Sequence, residues 1–254
     1  MKKRRWFSLF LSFALLLPLF SLTSADAYED FDLDAKAGLL IEADTGEILY
    51  EKNAHQENFP ASLTKVMVAL LVFEAIDEGK IALTDSVTAT ESAFEGLSSD
   101  GSTANIVPGE TMTVEQLLNC MLIVSANEAC NILGETLYGS VDAFVARMNE
   151  RAAELGCEHT HFANATGLHN SQHYTTAWDL YLITREAMKH DKFMEICNSK
   201  SYTVPATNMT ETPRELHSTN FLISNWRARG YVYRDAQGIK TGSTPEAGYS
   251  PLSL

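Results

Sequence analysis

The sequence predicts an α+β protein, an antiparallel sheet with a large helical subdomain. Three observations carry that reading: apolar clusters flank a turn triplet early in the chain, apolar residues recur at helical spacing through its middle, and strand-like segments return near its end. Sheet elements at both ends of a helical insert suit one α+β unit better than separate domains.

Taken in order, residues 38–50 read as two short strands joined at Asp44, Thr45 and Gly46. Pro60 then precedes a run, residues 63–76, that is apolar throughout and followed by Gly79. Proline before and glycine after mark a buried helix, which places Ser62 at its N-terminus. Helical spacing recurs over 114–137, 141–155 and 176–189, with Gly139 and Gly156 as stops. The proline-bounded stretch 205–213 reads as a loop. Residues 231–233, Gln237-Gly238 and 239–241 read as strand, turn and strand. There is no internal repeat and no low-complexity tract.

The first five residues include Lys2, Lys3, Arg4 and Arg5; residues 6–22 are apolar, and Ala25-Asp26-Ala27 surrounds a cleavage point. These are the three parts of a secretory signal, so residues 1–27 are expected to be removed and 28–254 to form an exported domain. A retained anchor fits less well, because Ser8, Ser12 and Pro18 interrupt a run that is short for a membrane span.

Composition agrees with a folded domain: 45% of the 254 residues are apolar and 20% charged, too apolar for disorder. Net charge is −14, and losing the basic leader makes the remainder more acidic, which argues against nucleic acid as a partner. Cys120, Cys130, Cys157 and Cys197 make neither a compact disulfide framework nor a C-x-x-C metal site and read as buried free thiols.

Ser62-Leu-Thr-Lys65 sets a hydroxyl and an amine three residues apart, on one helix face with Cβ atoms about 5–6 Å apart. That is within reach for a nucleophile and its base, but alone the motif is more often a helix cap followed by a solvated lysine. Ser125-Ala-Asn127 brings two polar side chains after an apolar run, where burial without partners is costly, so they are expected to line a cleft. The triplet is unspecific by itself, since Ser218-Thr-Asn220 repeats its pattern. Lys240-Thr241-Gly242 follows Ile239 in an apparent strand, where glycine lets a ligand lie against the backbone. Their order, Ser-x-x-Lys, then Ser-x-Asn, then Lys-Thr-Gly, is far rarer than the parts and is a known trio of penicillin-binding proteins and class A β-lactamases.

More of the chain, from about Lys36 to Tyr249, resembles the low-molecular-mass penicillin-binding proteins that are serine-type D-alanyl-D-alanine carboxypeptidases, peptidase family S11. The likeness includes Ala61-Ser-Leu-Thr-Lys-Val-Met67, Pro108-Gly-Glu110, Ser125-Ala-Asn-Glu-Ala-Cys130, Asn164-Ala-Thr-Gly-Leu168, His173-Tyr-Thr-Thr-Ala-Trp-Asp-Leu180, and the run from Gly238 through Lys240-Thr-Gly-Ser243 to Tyr249.

The resemblance implies a β-lactamase/transpeptidase-like fold and an acyl-enzyme mechanism on peptidoglycan stem peptides, with β-lactams as covalent inhibitors and no cofactor or metal. Ser62 would attack the penultimate D-alanine carbonyl and Lys65 would be the base. Its pKa must then fall roughly three units from about 10.4, about 4 kcal/mol against the ammonium, with burial and the like charge of Lys240 pushing that way. Ser125 would relay a proton to the leaving amine, Asn127 would hold the substrate amide, and Lys240 and Thr241 would bind the terminal carboxylate. The N–H groups of Ser62 and Ser243 would form the oxyanion hole beside Gly242.

After Tyr249 the chain reads Ser250-Pro-Leu-Ser-Leu254, where relatives continue with an apolar strand, more sheet, a helix and usually a membrane-binding tail. Pro251 argues against a strand here, so the sheet is expected to be incomplete, the Lys240 strand to be an open edge, an apolar face to stay uncovered and the membrane anchor to be missing.

Three other readings stand beside the carboxypeptidase: a D,D-endopeptidase on cross-links, a β-lactamase, disfavoured for want of a clear acidic deacylation residue, and an inactive binder of stem peptides or penicillin. Ser171-Gln-His173 with Ala177 and Asp179 resembles half a zinc D,D-peptidase site, but no Glu-x-x-His follows. His159-Thr-His161 also lacks further ligands.

Overall fold

The computed structural model describes residues 33–254. The chain divides into two units, Met1–Ala35 and Lys36–Leu254, and every described helix and strand lies in the second. The expected leader, residues 1–27, falls outside the described residues. Among the described residues, no helix is long and apolar enough to cross a membrane.

Strand β1 (Gly38–Ile41) pairs antiparallel with β2 (Ile48–Lys52). Glu42 closes the predicted turn, accepting from the Thr45 N–H at 2.6 Å with its carboxylate and from the Gly46 N–H at 2.9 Å with its carbonyl. A 3-10 turn, Ala61–Thr64, then runs into α1 (Lys65–Asp77), with Pro60 just before it. Helix α1 is apolar on every side, so it is buried on every side: Val66, Val68, Ala69, Leu70 and Val72 are all 0% exposed. Each fully buried Val or Leu contributes roughly 1.5–3 kcal/mol, which makes α1 the anchor of the core and fixes what stands at its start.

The other helices surround α1. Strands β3 (Ser86–Thr88) and β4 (Thr111–Thr113) pair ahead of α2 (Val114–Ile123), which Thr113 and Gln116 open with reciprocal capping bonds. Helix α3 (Asn127–Tyr138) ends at Gly139, and Ser140 caps α4 (Val141–Glu154). Thr176 caps α5 (Ala177–Ala187), which lies against α1, and α6 (Asp191–Cys197) packs on α2. Two further ribbons complete the unit: β5 (Ser201–Val204) paired with β6 (Arg214–His217), and β7 (Lys240–Thr244) paired with β8 (Gly248–Leu252). The stretch 205–213 is the predicted loop, joining β5 to β6.

Several expectations are corrected. The described strands form four two-stranded ribbons and not one continuous sheet. The helical stretch 114–137 is two helices, broken where Ser125 takes a left-handed φ of 66°. Residues 231–233 form no strand. Pro251 does not prevent a strand: it lies opposite Thr241 in β8, so β7 is paired on that side. Half the N–H groups of an edge strand point away from its neighbour, and proline is tolerated at such positions. All four cysteines are free and buried, as expected. Leu40, Ile48 and Leu49 on the first ribbon are exposed apolar residues.

A buried ion pair ties β6 to the loop before β4. Both guanidinium Nη atoms of Arg214 meet the Glu110 carboxylate, and Nη1 also donates to the carbonyls of Ala104 (3.3 Å) and Asn105 (3.0 Å). Glu110, 1% exposed, accepts in addition from Thr207 Oγ1 at 2.7 Å and the Val107 N–H at 3.1 Å.

Candidate active site

The cleft is assembled from four chain segments. Ser62, half-buried and reachable, sits in the 3-10 turn before α1. Ala61 has a φ of 48°, a conformation that must be held in place. Thr64 Oγ1 holds it by donating to the Ala61 carbonyl at 2.8 Å, while His173 Nε2 lies 2.8 Å from the same hydroxyl. His173 Nδ1 accepts from the Ala163 N–H at 3.0 Å, so Nε2 carries the ring proton and donates to Thr64. Burial, helped by His161 and Lys65, pushes His173 down to about 4, which keeps the ring neutral and this relay in one direction.

The second segment is the loop 164–168. Asn164 Oδ1 accepts from the N–H groups of Thr166 (3.1 Å) and Gly167 (2.8 Å) and from Thr166 Oγ1 (3.0 Å). Gly167 has a φ of 86°, and a Cβ there would stand 1.9 Å from the Ala61 carbonyl oxygen. Only glycine allows this approach, and it brings the Thr166 carbonyl onto Lys65.

The third segment is β7. Gly242 lies so close to the Ser62 turn that a Cβ on it would be 3.0 Å from the Pro60 carbonyl oxygen and 3.2 Å from the Ser62 nitrogen. Ser125 and Asn127 come from the break between α2 and α3. Glu128 stabilises that break, accepting from Thr103 Oγ1 at 2.7 Å and the Ala104 N–H at 2.8 Å.

Lys65, 0% exposed, directs Nζ to Ser62 Oγ at 3.0 Å, Asn127 Oδ1 at 2.9 Å and the Thr166 carbonyl at 2.6 Å. Lys240, 1% exposed, reaches Ser125 Oγ at 3.1 Å and the Thr241 carbonyl at 2.8 Å. Ser62, Lys65, Ser125, Asn127, Lys240, Thr241 and Gly242 therefore share one cleft, and Ser243 follows them on β7 as an exposed residue.

Burial lowers the pKa of Lys65, opposed by Cys130 and Glu128. Burial also holds the Cys130 thiol up at about 11, so at neutral pH that thiol is uncharged and Glu128 is the opposing anion. The expected push of Lys240 on Lys65 appears in the other direction: burial first and Lys65 second bring Lys240 down to about 7. Both amines thus lose protons more readily than a solvated lysine.

Four residues near the site have no part assigned to them in the chemistry read from sequence. Thr166 acts through a carbonyl, which has no side-chain signature, although Asn164-Ala-Thr-Gly-Leu168 had been singled out. His173 holds the Ser62 turn through Thr64. Asp179, the other half of the apparent zinc pair, accepts from the His159 N–H at 2.9 Å and Thr160 Oγ1 at 2.7 Å. His159 faces Glu57 at 3.4 Å, and no metal-binding cluster occurs among the described residues. Thr219, in the repeated Ser-x-Asn triplet, lies 2.7 Å from the Thr241 hydroxyl.

Known proteins match along most of the chain. The family profile of D-alanyl-D-alanine carboxypeptidases, peptidase S11, matches residues 23–253. The D-alanyl-D-alanine carboxypeptidase DacF of Bacillus subtilis is 38% identical over 216 residues, covering 85% of this chain and 52% of its own length. DacA of Escherichia coli is 32% identical over 222 residues, covering 86% of this chain and 52% of its own. The chain thus spans about half the length of these curated relatives. Among solved structures, the Streptomyces K15 DD-transpeptidase superposes with a TM-score of 0.77 at 31% identity, over 87% of this chain and 85% of that one. PBP3 of Streptococcus pneumoniae, described as a peptidoglycan synthesis regulatory factor, superposes with a TM-score of 0.77 at 30% identity over 88% of this chain and 64% of that one. These likenesses bear out the fold and family expected from the motifs: the chain belongs to the D-alanyl-D-alanine carboxypeptidase family, peptidase S11.

Proposed function

We propose that this protein is an exported serine D,D-carboxypeptidase that removes the terminal D-alanine from peptidoglycan stem peptides, with Ser62 as nucleophile. The observation that carries this reading is the 3.0 Å contact between Lys65 Nζ and Ser62 Oγ in a site where burial disfavours the ammonium. A neutral amine has two N–H groups and one lone pair. Asn127 Oδ1 and the Thr166 carbonyl only accept, so they take the two N–H groups, which leaves the lone pair for the Ser62 hydroxyl.

Ser62 Oγ then attacks the carbonyl of the penultimate D-alanine as its proton passes to Lys65. The N–H groups of Ser62 and Ser243 stabilise the oxyanion, a contribution of roughly 3–4 kcal/mol for one such donor elsewhere. Lys240 donates to Ser125 Oγ, leaving the Ser125 hydroxyl proton free for the departing amine. Lys65 passes the proton it took from Ser62 on to Ser125 and is neutral again as D-alanine leaves; water then attacks the ester while giving a proton to Lys65, and that proton returns to Ser62 as the acyl group is released. Asn127 holds the substrate amide; Lys240 and Thr241 meet the terminal carboxylate across the close approach at Gly242. A β-lactam enters by the same attack. The basic, apolar and small-residue sequence of residues 1–27 supports action outside the cytoplasmic membrane.

The test is release of D-alanine from diacetyl-L-Lys-D-Ala-D-Ala by the purified protein and its loss in Ser62→Ala. The same acyl-enzyme can pass to an amine, the transfer after which the Streptomyces K15 protein is named. Adding glycine as acceptor and resolving the products separates hydrolysis from transfer.

A further inference from the structure

We propose that Thr219 is a positioning residue for the carboxylate of the ligand, acting through the hydroxyl of Thr241. The inference rests on the function proposed above.

Thr219 belongs to Ser218-Thr219-Asn220, the second Ser-x-Asn triplet, which the acyl-transfer steps do not use. The triplet bridges the two walls of the cleft. The Thr219 N–H donates to the Ile123 carbonyl at 3.2 Å, two residues before Ser125. Asn220 Nδ2 donates to the Gly238 carbonyl, two residues before Lys240, and its Oδ1 accepts from the Leu222 N–H at 2.9 Å. Held from both sides, Thr219 presents Oγ1 2.7 Å from Thr241 Oγ1.

Two hydroxyls in contact share one hydrogen between them. If Thr241 donates to Thr219, no proton of Thr241 remains for an anion; if Thr219 donates, the Thr241 proton is free. A carboxylate only accepts, so it selects the second arrangement, a chain from Thr219 to Thr241 to the ligand in which each bond strengthens the next. Lys240 cannot substitute fully, because two of its N–H groups are directed at Ser125 Oγ and the Thr241 carbonyl. Thr219 thus sets the polarity of the donor that distinguishes a free C-terminal carboxylate from a blocked one.

The experiment uses two activated ligands with one acyl group, an N-acyl-D-alanyl thioester of thioglycolic acid and its uncharged ethyl ester. Acylation of Ser62 is followed by mass spectrometry in the wild type, Thr219→Val and Thr219→Ser. The expected result is a loss of about fivefold in kcat/KM for the carboxylate ligand in Thr219→Val, the scale of one neutral hydrogen bond, with the uncharged ester within twofold and the loss reversed in Thr219→Ser. Equal loss on both ligands, or on neither, overturns the assignment while leaving Ser62 acylation intact. A wild type that is acylated by neither ligand removes the proposed function and this inference with it.

Discussion

The Nζ of Lys65 stands 2.6 Å from the carbonyl oxygen of Thr166, a partner that can only accept. That contact, with Asn127 on a second side, would make the lysine a directed base once its proton is gone, as the proposed function requires. Replacing Lys65 by Met should slow acylation of Ser62 by about 10²–10⁴-fold, the usual contribution of a positioned base, in a protein that circular dichroism shows to be folded. Stopped-flow labelling with a fluorescent penicillin measures it.

Gly167 brings that carbonyl into place. Gly167→Ala adds a Cβ 1.9 Å from the Ala61 carbonyl oxygen at a residue of φ 86°, so it should reduce both stability and acylation. Gly139→Ala is the control: its φ is 80°, but nothing lies within 4 Å of the added carbon. It should lose about 1–2 kcal/mol in urea melts and acylate normally.

His173 predicts a pH dependence of stability. Its folded pKa, about 4, lies below the unfolded value near 6.5, so between these the unfolded chain binds more protons. The neutral ring's contribution is complete above pH 6.5 and lost as pH falls toward 4, about 3 kcal/mol in all. Urea melts at pH 7 and pH 4.5 should differ more in the wild type than in His173→Gln.

Arg214 and Glu110 supply a purely structural prediction. Arg214→Met leaves the buried Glu110 carboxylate without its ion partner and should destabilise by about 3–5 kcal/mol. Adding Glu110→Gln should recover part of that loss, because the charge then goes too. Thermal melts of the two variants decide it.

Much of the site was legible in the sequence because its side chains are few and ordered. Ser62 and Lys65 stand one turn apart, and the spacing of an apolar helix places them on its buried start. The break at Ser125 was harder to read, since Met121, Leu122 and Ile123 continue the helical pattern up to a residue whose φ is 66°. Strand β8 was missed because Pro251 was weighed as an interior residue when its strand is an edge. Thr166 and Thr219 were assigned no part, the first because a backbone carbonyl leaves no trace in residue type. Thr219 reaches Thr241 only through tertiary structure that spacing along the chain does not express.

The most direct test is covalent labelling of the purified, folded protein with a fluorescent penicillin, the adduct located by peptide mass spectrometry. An adduct on Ser62, absent in Ser62→Ala and strongly slowed in Lys65→Met, is the predicted result. A folded protein that carries no adduct, or one that is labelled at another residue, would contradict the assignment of Ser62 as the acylated nucleophile.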